Sequence, residues 1–153
     1  LISSLVAKYR ERYLSVGYRE NMLYNGIRES LIELQESKIF RLGICTSKRA
    51  DIAKKILEMF GIRMLFEFIS GGDIGIDKSQ QLQQLLEKST ISQNSLMIGD
   101  RYIDLAAAHS NRLRSAGVLW GYGSKSELEE ENPDYIFDHP IQITELIAEQ
   151  RTG

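Results

Sequence analysis

Apolar residues recur along this chain in two rhythms, and the alternation between them defines the expected elements. Over residues 1–14, Leu5, Tyr9 and Tyr13 fall on one stripe, with Ile2 and Val6 beside it and Lys8, Arg10, Glu11 and Arg12 interleaved. That spacing predicts an amphipathic helix. After a looser stretch with Gly17 and Gly26, the helical period returns over residues 27–35 through Ile27, Leu31 and Leu34. Short, mainly apolar runs at 40–45, 66–69, 95–98, 116–120 and 135–137 then read as strands. Helical stretches separate them. One is opened by Thr46-Ser47-Lys48, turns Ile52, Ile56, Leu57 and Phe60 inward, and is terminated by Gly61. A second carries Leu82, Leu85 and Leu86, and a third runs through about Asn111. Ser124 with Glu127 predicts a capping box for a short helix, and residues 141–147 a closing one.

Strands alternating with helices mean βαβ units and a parallel sheet, so the expected class is α/β: a three-layer, Rossmann-like domain. At 153 residues the chain suits one such domain. The one break lies near Tyr24-Asn25-Gly26, separating a leading helix, residues 1–23, from an α/β body, residues 24–153. A net charge of −2 provides no basic field for nucleic acid or an anionic membrane, and neither is an expected partner. No apolar run approaches the ~20 residues of a membrane span, and the first residues lack a signal-peptide layout. The single cysteine, Cys45, lies in an apolar run. It reads as a buried, inert thiol in a reducing compartment, hence a cytoplasmic protein.

Candidate chemistry concentrates in Ser95-Leu96-Met97-Ile98-Gly99-Asp100-Arg101-Tyr102-Ile103-Asp104. A strand ending here delivers two carboxylates to one rim of the sheet, the rim where open α/β sheets bind ligands. Two like charges there call for a cation between them, and a hard one with oxygen ligands, Mg²⁺ first, suits them. Read in isolation, Asp100 serves equally as a helix cap and Asp104 as a solvated first-turn acid. Thr46, with Ser47 behind it, is either an ordinary cap or part of an anion cradle built with backbone N–H groups. Lys78 opens a helix, where the macrodipole disfavours a cation unless an anion faces it or water solvates it. Arg101 reads as a surface ion pair, with Asp104 or substrate as the other options, and Trp120 as core. His109 and His139 lack partners at metal-ligand spacing and receive no role.

Taken jointly, these segments resemble the haloacid dehalogenase superfamily of phosphohydrolases, and within it phosphoglycolate-phosphatase-like members. The family's second motif, a strand ending in Ser or Thr, is matched by Leu42-Gly43-Ile44-Cys45-Thr46. The third, a lysine opening a helix, is matched by Lys78, and the fourth by Gly99, Asp100 and Asp104. Gly117-Val118-Leu119-Trp120-Gly121-Tyr122-Gly123-Ser124 looks like a stretch common in that subgroup, and Tyr24-Asn25-Gly26-Ile27 like the return from a helical cap into the core. The resemblance implies Mg²⁺-dependent hydrolysis of a small phosphorylated metabolite through an aspartyl-phosphate. Asp100 and Asp104 would hold the metal, Thr46, Ser47 and Lys78 the phosphate, with Thr46 and Lys78 also in the catalytic set.

One motif is missing. The family's nucleophile and general acid form an Asp-x-Asp pair on an N-terminal strand, and no such pair follows an apolar run here. Asp73-Ile74-Gly75-Ile76-Asp77 has the wrong spacing. Residues 1–23 resemble the last helix of the cap, so the expected core lacks its first central strand, leaving two inner edges facing a gap. A chain of that kind is a fragment, a split half or a truncated product, inactive alone. Its expected partners are a complementing N-terminal segment or a second copy that exchanges strands. Two other readings stand beside it: a non-catalytic phosphate-binding or regulatory module, and a halide-releasing hydrolase, against which the retained Gly-Asp-x-x-x-Asp counts.

Overall fold

The computed structural model describes residues 5–7 and 25–152. Among them the strands are β1 (Leu5–Ala7), β2 (Leu42–Cys45), β3 (Phe68–Ser70), β4 (Leu96–Gly99), β5 (Arg114–Val118) and β6 (Tyr135–Phe137). The helices are α1 (Ile27–Glu36), α2 (Ala50–Met59), α3 (Lys78–Glu87), α4 (Tyr102–Ser110), α5 (Lys125–Glu129) and α6 (Glu145–Thr152). Short 3₁₀ turns form at Arg63–Leu65 and Pro140–Thr144. The strands make one sheet of order β3-β2-β1-β4-β5-β6, every pairing parallel. The chain winds outward from β1 to β3, then crosses to β4 and winds the other way. This is the doubly wound order, whose switch point between β1 and β4 opens a crevice at the strand C-termini.

Strands β2 and β4 are buried on both faces, as strands inside a parallel sheet are. Along β2 and β4, Leu42, Ile44, Leu96 and Ile98 join the cluster formed with Leu31 and Leu34 of α1, Leu57 of α2 and Leu146 of α6. Cys45 and Met97 point the other way, into a second cluster with Leu82 and Leu85 of α3 and Ala107 and Ala108 of α4. The result is three layers, with α3 packed on α4 behind the sheet and α1 on the Pro140–Thr144 turn in front. Gly61 ends the α2 region at φ +71, the left-handed conformation expected of it. No helix among the described residues is long and apolar enough to cross a membrane.

Two expectations are corrected. The leading helix does not include Leu5–Ala7, which is a strand, and the central slot is not vacant, because β1 fills it. Leu5, Val6 and Ala7 pair with Leu42, Gly43 and Ile44 on one side and with Leu96, Met97 and Ile98 on the other. The physical reason is the demand of the two inner edges. Their N–H and C=O groups need partners, and a short apolar triplet satisfies both edges at once. Tertiary pairing therefore overrides the local helical period. The remainder of the expected N-terminal helix lies outside the described residues.

Candidate functional site

The rim is assembled from the C-terminal ends of β2, β3 and β4 and the first turns of α3 and α4. Thr46 follows β2, and its N–H donates to the Ser70 carbonyl at 3.0 Å, continuing the ladder with β3. Its hydroxyl accepts the Lys48 N–H at 3.2 Å. That local turn delays the helix. α2 starts at Ala50 with Arg49 as its cap rather than at Thr46-Ser47-Lys48, because a hydroxyl satisfying a nearby N–H competes with helix entry. Thr46 is buried and Ser47 exposed.

Lys78 opens α3 as expected. Asp77 caps the helix, accepting the Gln80 N–H at 2.8 Å, while the Gln80 side chain accepts the Asp77 N–H at 2.9 Å. This reciprocal box fixes the first turn and aims Lys78 inward. Only 6% of Lys78 is exposed. Its ammonium donates to the Cys45 carbonyl at 3.1 Å and lies 3.9 Å from Asp104 Oδ1. A buried cation at the positive end of a helix dipole is unfavourable unless anions face it, and here a carboxylate and a carbonyl do.

Asp100 and Asp104 are 1% and 0% exposed. Asp100 Oδ2 accepts the Tyr122 N–H at 2.9 Å, and the Asp100 carbonyl accepts the Gly123 N–H at 2.9 Å. The Gly121-Tyr122-Gly123 segment after β5 thus clasps Asp100 from the far side. Asp104 Oδ2 accepts the Arg101 N–H at 3.3 Å. Gly99 is the residue that lets the Asp104 side chain lie against the end of β4. A Cβ there would meet the Asp104 Cβ at 2.4 Å and its Oδ2 at 2.7 Å.

Thr46, Lys78, Asp100 and Asp104 therefore lie on one rim, with the Lys78 ammonium spanning the end of β2 and the start of α4. Two buried carboxylates supply the hard oxygen donors that Mg²⁺ takes. The donor set fits that ion in kind and leaves further positions to other oxygens, since no group of three His, Cys, Asp or Glu forms among the described residues. The 280 Å³ cleft lined by Gln35, Phe40, Arg41, Leu42, Met64 and Glu67 opens at the other end of the sheet and contains none of these residues.

Two rim side chains were not singled out for the site by sequence reasoning. Gln81, 4% exposed, donates from Nε2 to the carbonyls of Thr46 and Gly71, both at 3.0 Å. Glu127 was expected to complete a capping box with Ser124. Its N–H does donate to Ser124 Oγ at 3.1 Å, but its carboxylate instead accepts from Arg101 Nε at 2.7 Å and from the Tyr102 N–H at 2.9 Å. Arg101 thus pairs with Glu127. Hydrogen bonding to Glu127 raises the Arg101 pKa. Burial pushes the Glu127 carboxyl up, but the Arg101 hydrogen bond and the Tyr102 N–H outweigh it and hold the carboxyl below its usual range. The stability this contributes is present above the ordinary carboxylate pKa and disappears as pH falls through the lowered one. Glu127→Gln should cost about 1 kcal/mol at neutral pH. Urea unfolding should show the difference closing in acid, and a deficit that persists there would exclude the ion pair as its source.

The histidines lie apart from this set. His109 Nε2 is 2.9 Å from Ser115 Oγ, and the His139 N–H donates to Gln142 Oε1 at 3.0 Å. Trp120 packs, partly buried, against the main core.

A doubly wound sheet carrying two buried acids, a buried lysine and a threonine at its switch-point rim defines an α/β ligand-binding core. The chain belongs to the haloacid dehalogenase-like hydrolases, whose family model matches residues 1–118. It is 31% identical over 156 residues to a phosphoglycolate phosphatase of Vibrio parahaemolyticus, covering 97% of this chain and 68% of that protein. It is 33% identical over 134 residues to a 5'-nucleotidase of Pseudomonas aeruginosa, covering 85% and 60%. Among solved structures, a predicted phosphoglycolate phosphatase from Haemophilus somnus matches with a TM-score of 0.73 at 28% identity, over 86% of this chain and 62% of that one. The chain spans between about half and about two thirds of the length of the first curated relatives it matches.

Proposed function

We propose that this chain is the core portion of a Mg²⁺-dependent phosphatase for a small phosphate monoester, phosphoglycolate-phosphatase-like in class. The observation that carries the reading is the buried Lys78 ammonium, held between the Cys45 carbonyl beside Thr46 and the Asp104 carboxylate. Asp100 and Asp104 would hold the cation, which when bound supplies positive charge to the phosphoryl oxygens. Lys78 neutralises the same oxygens from the α3 side. The Thr46 hydroxyl and the Ser47 N–H orient them. Such catalysis is positioning and electrostatic stabilisation, for which residues fixed on a rigid rim are suited.

The attacking carboxylate is a separate matter. No aspartate precedes Asp51 in this sequence, so β1 presents none. In this reading the nucleophile, and the aspartyl-phosphate formed on it, belong to a complementing segment. The chain alone should bind Mg²⁺, lose that binding with Asp100→Asn, and turn over no p-nitrophenyl phosphate. Isothermal titration and a phosphate-release assay check both points. Turnover that follows the chain through purification and vanishes with Asp100→Asn would refute the missing nucleophile. Unchanged Mg²⁺ affinity in that variant would refute the metal site.

A non-catalytic phosphate-binding module is the second reading, and β1 favours it: the central slot is already filled by a strand without an acid. Adding a peptide that carries Asp-x-Asp discriminates the two. Turnover on addition supports the enzyme, and phosphate binding without turnover supports the module.

A further inference from the structure

Gln81 takes no part in the chemistry above, yet it is a buried amide on the rim, at the loops that follow β2 and β3. It stands one helical turn after Lys78 on the same face of α3, as residues three apart do. The two side chains reach consecutive carbonyls. Lys78 Nζ takes Cys45 at 3.1 Å, and Gln81 Nε2 takes Thr46 at 3.0 Å. Gln81 also takes the Gly71 carbonyl, just after β3, at 3.0 Å. One amide group thus ties together the loops that follow β2 and β3.

The peptide bond turns this tie into a directional device. The described residues contain no cis peptide, and in a trans peptide the C=O and the following N–H point opposite ways. Drawing the Thr46 carbonyl toward Gln81 and Gly71, on the β3 side, sends the Ser47 N–H away from β3. β1 and β4 lie on that other side, with the two acids beyond. We propose that Gln81 is a positioning residue that aims the Ser47 amide at a phosphate group bound on the rim. The inference rests on the phosphate-site reading above and adds to it a determinant of affinity. Glutamine suits the task because its amide nitrogen offers two donors, one for each carbonyl. Glutamate would offer only acceptors, and leucine or methionine none.

The test follows inorganic phosphate added to the ¹⁵N-labelled chain in the presence of Mg²⁺, with Mg²⁺ affinity measured separately. In the native chain the Ser47 amide signal should shift and saturate. In Gln81→Met, which keeps the side-chain volume, the phosphate dissociation constant should rise about tenfold, the worth of one well-placed hydrogen bond. The saturating Ser47 shift should shrink, while Mg²⁺ affinity stays within twofold. General damage to the rim would lower both affinities together, and that outcome overturns the proposal. So does phosphate affinity within twofold of native. Should Gln81→Met not fold, the Gln81 side-chain NH₂ signals of the native chain decide. Movement in step with Ser47 supports the proposal, and indifference to phosphate overturns it. A native chain whose Ser47 signal ignores phosphate would bring down the phosphate-site reading itself, and this inference with it.

Discussion

Lys78→Ala should lower the unfolding free energy by about 3 kcal/mol, the scale for removing one partner of a buried ion pair. The variant should also lose measurable affinity for inorganic phosphate. Lys78 is the described cation nearest Asp104, 3.9 Å from its Oδ1 atom, and both groups are almost fully shielded from water. Without the ammonium, the buried Asp104 carboxyl loses a cation that faces it, and the Cys45 carbonyl loses one donor. Magnesium should restore part of the loss, because a dication between the acids does electrostatically what the lysine did. Urea unfolding with and without MgCl₂ checks this. A loss below 1 kcal/mol, or one indifferent to magnesium, would mean that the ammonium and the acids do not share a field.

Gly99→Ala should be nearly as severe, by sterics rather than charge. The added methyl would sit 2.4 Å from the Asp104 Cβ, an atom fixed to the backbone of α4 and unable to swing away. Either α4 moves off the sheet or the Asp104 side chain leaves the rim. Overpacking of this kind costs about 1–3 kcal/mol, and magnesium binding should be lost with the displaced carboxylate. Calorimetric Mg²⁺ titration beside thermal unfolding measures both. Native metal affinity in this variant would show that Asp104 does not need its observed position.

Much of this molecule is legible from residue order. The strand–helix alternation, the Lys78 helix start and the Gly-Asp-x-x-x-Asp rim emerge because each rests on local chemistry: a run of apolar residues, a capping box, a short apolar strand ended by an acid. Leu5–Ala7 was misread because a three-residue strand lies inside a helical period, and only the two inner edges on either side of it decide the matter. The start of α2 was placed early because Thr46 resembles a cap, whereas its hydroxyl accepts the nearby Lys48 N–H in a local turn. Glu127 was read through its neighbour Ser124, although its carboxylate partner is Arg101, 26 residues away. Gln81 was invisible for the same reason. Its two acceptors are 35 and 10 residues distant, and no spacing rule announces them.

The sealed position of the sole thiol provides a ready probe. Cys45 is 0% exposed and directly precedes Thr46. An alkylating reagent can reach its sulfur only when the layers of α3 and β2 part. Labelling rates followed by mass spectrometry would therefore time the breathing of the rim itself, without any introduced tag, and saturating magnesium should slow that clock.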